Sequence, residues 1–270
     1  MESAPLLSVI VPAYNEARSI TRTVETIRAY LDTRSTPFEI IVSADGDDGT
    51  REAVAELARS DARISVIGSK QRGGKGRGIR EGVARARGDV IGFCDADYKT
   101  PIEEIEKLLP YLRQGHDIAI ASRGMADSQI EVYQPWYRRI GSKAFGVCMH
   151  LTIGLWGIHD TQCGFKFFRG EVAKDLFARQ KIDGYMFDVE ILYLARKAGY
   201  SIKEVGVVWR DDGDSRLQLV AGNWENMKEI LSIRFNRYDQ SRGVNTLLRG
   251  AVVNERALVP ATEGPALVSK

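Results

Sequence analysis

The sequence predicts an α/β protein in which helices flank a mostly parallel sheet within a single domain. Three observations support this prediction. Short apolar runs rich in β-branched residues recur along the chain, amphipathic helical patterns separate them, and 270 residues are enough to bury one large core. Strands that alternate with helices form βαβ units, whose strands run parallel.

The first half of the chain gives the clearest alternation. Predicted strands cover residues 6–11, 38–42, 63–67, 90–94 and 117–121. Predicted helices cover residues 13–34 and 50–59. A third predicted helix follows a glycine-rich turn and ends at about residue 86, and a fourth begins at Thr100. Asn15 is the predicted cap of the first helix. In the predicted helix that begins at Thr100, Thr100 fits the N-cap, Pro101 the first helical position and Glu103 the partner of a capping box.

The second half is less regular. Helical patterns cover residues 136–156, 185–198 and 222–238, and strand patterns cover residues 164–168 and 202–209. From Ser241 onward the periodicity fades, and residues 262–270 have the composition of a loose tail. The predicted domain therefore covers residues 1–240, and residues 241–270 form a C-terminal tail.

Composition argues against several classes of protein. A net charge of +2 gives no global field that would attract nucleic acid, so no nucleic-acid partner is predicted. Three cysteines without C-x-x-C spacing argue against a disulfide framework and a structural zinc site, and favour a reducing compartment. The N-terminus lacks a signal-peptide pattern, and no run of 18 apolar residues predicts a membrane span. We therefore expect a cytoplasmic protein.

An acidic pair follows the fourth predicted strand. Asp95 and Asp97 lie at the carboxyl end of that strand, where ligands bind in open parallel sheets. Two carboxylates in one non-helical turn can converge on a hard cation, and oxygen ligands suit magnesium or manganese. An isolated D-x-D is more typical of a solvated loop with a helix cap than of a metal site. The buried strand before this one and the helix start at Thr100 and Pro101 favour the metal site.

A glycine-rich turn, Gly73-Gly74-Lys75-Gly76, opens the third predicted helix. Glycines permit close approach of the backbone and a helix N-terminus favours anions, so a phosphate contact is one interpretation and a flexible turn is the other. The P-loop pattern G-x-x-x-x-G-K-[ST] does not occur in this turn.

The motifs that can carry chemistry follow one another over residues 6–238. They are residues 9–16 (V-I-V-P-A-Y-N-E), Gly74-Lys75-Gly76 with Gly82, Asp95-Ala96-Asp97, Ala121-Ser122-Arg123, residues 160–166 (D-T-Q-C-G-F-K), Trp209-Arg210, Gly213 and Ser215-Arg216-Leu217. In this order the sequence resembles the family-2 inverting glycosyltransferases, in particular the branch of the dolichyl-phosphate glucosyltransferases and dolichyl-phosphate mannosyltransferases. D-T-Q-C-G-F-K is similar to the motif of the glucosyltransferases in that branch.

The resemblance implies a GT-A fold, a nucleoside-diphosphate sugar donor, and Mg²⁺ or Mn²⁺ as cofactor. It divides the domain into a nucleotide-sugar-binding half, residues 6–123, and an acceptor-binding half, residues 124–240. The implied donor-binding residues are Pro12, Tyr14, Glu16, Asp45, Lys75, Asp95 and Arg210. The implied metal ligands are Asp95 and Asp97. The implied acceptor-phosphate residues are Arg139, Lys166 and Arg216, and the implied catalytic residues are Asp97, Arg123 and Asp160.

The sequence departs from the family pattern in two respects. Where the family has V-D-D-G-S-x-D-G-T, residues 42–50 are V-S-A-D-G-D-D-G-T. Either Asp45 replaces the base-contacting aspartate with a one-residue shift, or Asp48 alone is kept, so the nucleobase is left open. Membrane-bound relatives also often carry C-terminal spans, and none is predicted here.

The leading functional prediction is inverting transfer of glucose from UDP-glucose to a polyprenyl phosphate, whose oxyanion is its own nucleophile. The alternative within the family is transfer to a hydroxyl of a small molecule, peptide or polysaccharide precursor, which requires a base. Asp160, Asp188 and Glu190 are the candidate bases. Asp188 and Glu190 are two residues apart on a predicted helix, so at most one faces the site, and Asp188 is counted among the catalytic residues.

Two alternatives come from other classes of protein. A nucleotidyltransferase would also use a parallel sheet and metal carboxylates, but its glycine-rich signature after the first strand is replaced by Pro12-Ala-Tyr-Asn-Glu16. A non-catalytic binding domain on a degenerate fold is disfavoured by the presence of both Asp95 and Asp97.

Membrane contact is predicted to depend on residues 136–156. A basic first turn with Arg139 and Lys143, and tryptophans at both ends, Trp136 and Trp156, suit a helix in the bilayer interface. A core helix of the domain is the alternative. An interfacial helix would place the protein peripherally on the cytoplasmic membrane face. The oligomeric state is not predicted.

Overall fold

The computed structural model describes residues 7–34, 36–131, 146–147, 149–210 and 221–238, the first three of the last range by their backbone alone. The strands are β1 (Leu7–Tyr14), β2 (Phe38–Asp45), β3 (Ile64–Ile67), β4 (Val90–Cys94), β5 (Ile118–Ser122), β6 (Gln129–Ile130), β7 (Phe165–Arg169), β8 (Ile202–Gly206) and β9 (Val208–Trp209). The helices are α1 (Ile20–Thr33), α2 (Thr50–Ser60), α3 (Lys75–Arg85), α4 (Ile105–Arg113), α5 (146–147 and 149–153), α6 (Gly170–Arg179), α7 (Phe187–Lys197) and α8 (Ala221–Phe235). A 3₁₀ helix, Ile102–Glu104, precedes α4.

Seven strands form one sheet in the order β3-β2-β1-β4-β7-β5-β8. Every neighbouring pair is parallel except those made by β7, which runs antiparallel to β4 and to β5. A second sheet pairs β6 with β9 in parallel. The predicted mostly parallel α/β sheet is confirmed, with one antiparallel strand inserted between β4 and β5.

Alternation along the strands divides the core into two layers. In β1, Val9 and Val11 pack with residues of α1, α2 and α4, whereas Ile10 packs with residues of α3, α6 and α7. Because both faces of the sheet are covered, the strands are continuous apolar runs. Full burial of each such side chain stabilises the fold by about 2 kcal/mol.

The carboxyl ends of β1, β2 and β4 lie at one edge of the sheet because these strands are parallel. Tyr14 and Asp45 are partners at the ends of β1 and β2, and β4 leads directly into Asp95. On β4, Gly92 gives room to Phe167 of β7, since a Cβ there would lie 2.1 Å from the ring's Cδ1. The close approach of β7 brings the D-T-Q-C-G-F-K segment beside the acidic turn.

The predicted start of the first helix is wrong. β1 continues to Tyr14, the chain turns at Asn15 with a φ of 54°, and α1 begins only at Ile20, with Ser19 before it. Asn15 therefore caps no helix. Its side chain instead packs against Gly46, where an added Cβ would lie 2.0 Å from the Asn15 Oδ1.

The predicted capping box at Thr100 is also wrong. The Thr100 hydroxyl lies 3.8 Å from the Cys163 Sγ, and the Ile102 N–H donates to the Tyr98 hydroxyl at 3.1 Å. The Tyr98 hydroxyl in turn donates to the Glu103 carboxylate at 3.2 Å. A tyrosine that was not considered from the sequence therefore takes the role expected of the threonine.

The second half differs from the sequence patterns in two places. The predicted strand 202–209 divides into β8 and β9, which belong to different sheets, and α6 has no predicted counterpart. The predicted helix 136–156 lies partly outside the described residues, as do Arg139, Arg216 and the tail 241–270. None of the helices described here is both long and apolar enough to cross a bilayer.

Candidate active site

The acidic turn lies at the carboxyl end of β4. Asp95 and Asp97 leave 36% and 37% of their side chains exposed. Burial, and after it the neighbouring charge of Asp95, raises the pKa of Asp97. Tyr98 closes the turn in the left-handed region with a φ of 57°, and the Ala96 carbonyl accepts a hydrogen bond from the Thr23 hydroxyl at 2.8 Å. The turn is thus fixed while both carboxylates stay partly open.

Asp95 is anchored to the interior of the protein. Its N–H donates to the Gly164 carbonyl at 3.1 Å, and its carboxylate lies so close to Gly164 that an added Cβ would be 2.0 Å from Oδ2. The Lys75 Nζ lies 2.6 Å from the Asp95 Oδ1. Burial by itself would lower the pKa of Lys75, but the charges of Asp95 and Asp188 raise it. Lys75 is therefore a fixed ammonium beside the acidic turn.

The glycine-rich turn uses its backbone donors within the protein. The Gly76 N–H donates to the Gly184 carbonyl and the Arg77 N–H to the Asp183 carbonyl, each at 3.2 Å. Gly74 has a φ of 103°, and a Cβ there would lie 2.2 Å from the Asp183 carbonyl oxygen. The interpretation of a phosphate at this helix N-terminus is therefore not supported. What the turn presents to the edge of the sheet is the Lys75 side chain.

Lys166 is not placed where the acceptor-phosphate prediction requires. It is 1% exposed, and its Nζ donates to the Asp188 Oδ1 at 2.5 Å and to the Cys163 carbonyl at 2.6 Å. A lysine inside the sheet cannot reach a phosphate at the surface without breaking this pair. Asp188 is equally buried, and burial raises its pKa against the opposing charges of Lys166 and Lys75. Asp188 therefore stands behind Lys75 rather than at the open edge.

Glu190 points away from this cluster. Its carboxylate accepts hydrogen bonds from the Lys181 and Ile182 N–H groups, each at 2.9 Å, and from the Tyr238 hydroxyl at 2.7 Å. The expectation that at most one of Asp188 and Glu190 faces the site is confirmed. Glu190 fixes the loop that follows α6.

On the other side of the turn, Asp97 meets a local cation and an aromatic ring. The Lys99 Nζ lies 3.4 Å from the Asp97 Oδ2 and 5.9 Å from the centre of the Trp209 ring. The guanidinium carbon of Arg123 lies 5.3 Å from the same ring. Trp209, which is 8% exposed, therefore packs between two cations and spaces them along the edge of the sheet.

Asp160 accepts three hydrogen bonds from Arg123. The Arg123 Nε donates to Oδ2 at 2.6 Å, Nη2 to Oδ1 at 2.9 Å, and the Arg123 N–H to Oδ2 at 2.9 Å. Burial would raise the pKa of Asp160, but the charge and hydrogen bonds of Arg123 lower it to about 2. A carboxylate with so low a pKa and no open side is a poor general base. The base role predicted for Asp160 is thus replaced by the positioning of Arg123.

A second carboxylate, which was not singled out from the sequence, supports Asp160. The Glu204 side chain on β8 accepts the His159 N–H at 3.0 Å and the Asp160 N–H at 2.8 Å. It is 9% exposed. A glutamate inside a predicted strand was the signal for such a role, because a buried carboxylate needs hydrogen-bond donors.

The predicted nucleoside segment lies at the ends of β1 and β2. Pro12 is half-buried within β1, and Tyr14 is 40% exposed at its end. The Arg72 guanidinium lies over the Tyr14 ring, 4.5 Å from its centre, and donates to the Tyr185 hydroxyl at 3.2 Å. Arg72 was not singled out from the sequence; its position in a basic, glycine-rich turn was the available signal.

The acidic residues of the segment order the backbone around it. The Asp45 carboxylate accepts hydrogen bonds from the Ser69 N–H at 3.1 Å and the Gly73 N–H at 2.6 Å, which fixes the turn that carries Arg72. Asp48 instead accepts the Ala17 N–H at 3.0 Å and joins the segment before α1 to α2. Both aspartates left open by the sequence therefore lie beside the nucleoside segment, Asp45 next to Tyr14 and Asp48 next to the residue after Glu16.

Glu16 and Arg210 lie at the margins of the site. The Glu16 carboxylate accepts a hydrogen bond from the Ser19 hydroxyl at 2.7 Å. The exposed Arg210 pairs with Glu131 at 3.0 Å, and its N–H donates to the Lys99 carbonyl at 2.8 Å. Arg210 is thus next to the acidic turn through the backbone, with its guanidinium directed to β6 and the residue after it. Arg139 and Arg216 lie outside the described residues, so their predicted roles stay predictions.

The two carboxylates of the turn suit a cation whose other coordination positions are filled by a bound ligand. Within the described ranges, no group of three or more His, Cys, Asp or Glu side chains could hold a metal by itself. Asp95 and Asp97 offer hard oxygen donors on a fixed turn, and Mg²⁺ or Mn²⁺ would complete its coordination with phosphate oxygens and water. Lys75 and Lys99 flank the pair, so the same edge has the positive charge that a diphosphate requires.

Comparisons with known proteins agree with this geometry. Residues 8–177 match the family described as Glycosyl transferase family 2. The glycosyltransferase AglD of Haloferax volcanii is 36% identical over 220 residues, which are 79% of this chain and 34% of that protein. The dolichyl-phosphate beta-glucosyltransferase ALG5C of Trichomonas vaginalis is 34% identical over 224 residues, 78% of this chain and 65% of that protein. The chain thus spans about a third of the first relative and slightly under two thirds of the second.

Among solved structures, glucosyl-3-phosphoglycerate synthase from Mycobacterium tuberculosis in complex with Mn²⁺, uridine-diphosphate and phosphoglyceric acid has a TM-score of 0.64 with this chain. It is 20% identical and covers 86% of this chain and 80% of its own. A likeness at this identity shows a shared fold, and the expected single-domain GT-A fold is confirmed.

Proposed function

The chain belongs to glycosyl transferase family 2, and from this membership we propose that it moves a hexose from a nucleoside-diphosphate sugar to a polyprenyl phosphate with inversion. UDP-glucose is the first donor we propose, with Mn²⁺ or Mg²⁺ as cofactor. The observation that carries the proposal is the turn with Asp95 and Asp97, flanked by Lys75 and Lys99, at the carboxyl edge of a parallel sheet.

The donor side follows from charge. Asp95 and Asp97 would hold a cation, which would supply positive charge against the charge that develops on the departing diphosphate. Lys75 and Lys99 add two fixed positive charges next to it, where preorganised electrostatics stabilise the transition state most. The relative in Trichomonas is a glucosyltransferase by name, and the structurally similar synthase binds uridine-diphosphate with Mn²⁺. Both support UDP-glucose as the donor.

The acceptor side follows from the carboxylates. A hydroxyl acceptor needs a general base, but Asp160 is paired with Arg123, Asp188 with Lys166, and Glu190 with backbone N–H groups. None of the three candidates is open to an incoming hydroxyl. A phosphate oxyanion needs no base and is attracted by cations such as Arg123. The name of the Trichomonas relative, a dolichyl-phosphate beta-glucosyltransferase, supports the same acceptor class.

An apolar surface beside α7 supports contact with the membrane that would contain such an acceptor. Val147, Leu151 and Trp156 are 55%, 70% and 58% exposed. The Arg196 guanidinium donates to the Trp156 carbonyl at 2.6 Å, so a basic residue borders the apolar group. Exposed aliphatic and tryptophan side chains next to arginine suit the interface of an anionic bilayer. We propose that this surface rests on the membrane peripherally.

Vesicle sedimentation tests the membrane contact. Wild-type protein is expected to sediment with vesicles that contain anionic lipid, and Leu151→Asp is expected to reduce the bound fraction about tenfold, since it places a charge in the interface. Thr33→Asp adds the same charge to an exposed residue at the end of α1 and is the matched control. Equal binding of both variants would contradict the assignment of this surface.

Transfer of radiolabel tests the function itself. UDP-glucose, UDP-GlcNAc and GDP-mannose, each labelled in the sugar, are incubated with protein and Mn²⁺, with and without a short polyprenyl phosphate. Label from UDP-glucose is expected in the organic phase only when the lipid is present. Donor hydrolysis without lipid transfer would contradict the polyprenyl-phosphate acceptor and direct the search to hydroxyl acceptors. Label from GDP-mannose alone would contradict the proposed donor.

A further inference from the structure

Two ion pairs lie one behind the other next to the acidic turn. The outer pair joins Lys75 to Asp95 at 2.6 Å, with the Lys75 side chain 19% exposed. The inner pair joins Lys166 to Asp188 at 2.5 Å, with both side chains at most 4% exposed. From the interior to the edge, the order of charges is therefore positive, negative, positive, negative.

Asp188 connects the two pairs. It interacts with both lysines, and the charge of Asp95 acts on it in turn. The Lys75 Nζ lies 5.8 Å from the ring of Phe187, the residue before Asp188. Gly76 makes this approach possible, since a Cβ there would lie 2.6 Å from the Phe187 Cβ. The start of α3 is thus pressed against the start of α7, and Lys75 lies between two carboxylates.

The stability of the fold does not explain the inner pair. Lys166 is within β7, opposite Phe93 of β4 and Ile120 of β5, where apolar side chains would pack. Burial of two charges costs about as much as their attraction returns, and well-packed apolar residues at such sites are often as stable or more so. The charge of Asp188 also acts on Lys75, so the inner pair affects the position and the available charge of that lysine.

We propose that Lys166 and Asp188 are positioning residues that divide Lys75 between the metal carboxylate and the donor diphosphate. This inference rests on the proposed function, in which Lys75 meets the diphosphate. Asp188 competes with Asp95 for the Lys75 ammonium, which weakens the hold of Lys75 on the carboxylate that the cation needs. Lys166 neutralises Asp188, so that the positive charge of Lys75 remains available to the diphosphate.

The two members of the pair therefore have different expected effects on the binding of UDP. Without the charge of Asp188, Lys75 is held more tightly by Asp95, and Mn²⁺ must compete with a stronger ion pair. Asp188→Asn is expected to reduce the gain in UDP affinity on addition of Mn²⁺ about tenfold. Without Lys166, Lys75 alone neutralises the negative charge of Asp188. Lys166→Met is expected to weaken UDP binding about tenfold even in EDTA.

Isothermal titration with UDP, in EDTA and at saturating Mn²⁺, measures both quantities on the full chain, with thermal unfolding recorded in parallel. Each single variant breaks the buried ion pair and is expected to unfold at a lower temperature. The double variant Lys166→Met/Asp188→Leu removes both charges and is expected to unfold near the wild-type temperature. It should nevertheless keep the reduced Mn²⁺ gain of Asp188→Asn, which a merely structural role would not produce.

A matched control is the pair of Arg179 and Asp175 in α6, whose side chains are both 11% exposed. Asp175→Asn also breaks a nearly buried ion pair, and its UDP affinity is expected to equal that of wild type in both conditions. Wild-type UDP binding by the double variant, with and without Mn²⁺, would overturn the inference while the proposed function stands. Absence of any Mn²⁺ gain in the wild-type protein would overturn the proposed function and this inference with it.

Discussion

The two aspartates of the acidic turn are separated by one residue, but their surroundings differ. Asp95 lies against Gly164 and pairs with Lys75, which comes from another part of the chain and is backed by Asp188 and Lys166. Asp97 pairs with Lys99, its own neighbour in the turn. One carboxylate is thus positioned by tertiary packing, and the other by local geometry.

The comparison indicates that the two sides of the turn should respond differently to substitution. On the Asp95 side, the Lys75 ammonium is backed from the interior by Asp188 and Lys166, so changes within the core should reach the proposed metal ligand. On the Asp97 side, Lys99 and Arg123 are spaced by Trp209 along the edge, so that changes there alter charge without moving the turn. We therefore expect variants on the two sides to differ in how much they change transfer activity and in how much they change the free energy of unfolding.

The largest effect is expected at the turn itself. Asp97→Asn removes one of two proposed metal ligands and should lower transfer about a thousandfold, since the leaving diphosphate loses most of its charge stabilisation. The measurement is labelled product formed per minute at saturating Mn²⁺. Asp89→Asn, at the exposed residue before the other end of β4, is the matched control and should transfer normally. Full activity of Asp97→Asn would remove the basis of the metal assignment.

The next largest effect tests the anchoring of Asp95. A Cβ at Gly164 would lie 2.0 Å from the Asp95 Oδ2, so Gly164→Ala should push the carboxylate from its position and lower transfer about a hundredfold. Because the Asp95 Cγ would also lie 2.3 Å from that Cβ, the whole side chain must move, and the free energy of unfolding should fall by about 1–3 kcal/mol. Both are measured, by product assay and by denaturant titration. Gly146→Ala, where an added Cβ meets nothing within 4 Å, is the control.

On the Asp97 side, the pair of Asp160 and Arg123 should make stability depend on acid. The folded pKa of Asp160 is about 2, below the unfolded value of about 4, so its stabilising contribution is complete above pH 4 and is lost as the pH falls towards 2. Asp160→Asn should therefore cost at least about 2 kcal/mol of unfolding free energy at pH 7, and the difference from wild type should narrow below pH 4. Urea titrations between pH 2.5 and 7 measure this. A constant difference would contradict the assigned pKa.

The smallest effect is expected at Trp209. Trp209→Phe keeps an aromatic ring between Lys99 and Arg123 but weakens the cation–π attraction to both, so transfer should fall about fivefold, equivalent to about 1 kcal/mol. Trp224→Phe changes a tryptophan that is 67% exposed on α8 and should leave transfer with detergent-dispersed acceptor unchanged. Equal rates for both variants would show that Trp209 does not space the two cations.

The same contrast explains how much the sequence could predict. β4 and the acidic turn follow from local patterns, because the strand is buried on both faces and the carboxylates come directly after it. The pairing of Asp95 with Lys75 depends on how α3 packs against α7, which no local pattern encodes. The family resemblance assigned Lys166 to an acceptor phosphate, although its place between Phe165 and Phe167 is typical of a buried strand.

The fold shows a similar division. The parallel strands of the first half were predicted because their apolar runs are continuous and separated by turns. α6 was not, since Gly170 starts it directly after β7 without a Ser, Thr, Asp or Asn side chain to mark the start. The antiparallel direction of β7 is likewise set by its pairing with β4 and β5 and leaves no mark on its composition. Global packing decides these features.

The most direct test of the central claim is the effect of Mn²⁺ on the affinity for UDP, compared between the wild-type protein and Asp97→Asn. Isothermal titration in EDTA and at saturating Mn²⁺ gives the two dissociation constants for each protein. If Asp95 and Asp97 hold the donor diphosphate through a shared cation, Mn²⁺ should strengthen UDP binding to wild type at least about tenfold and leave Asp97→Asn unchanged. An equal gain in both proteins would contradict this account of the site.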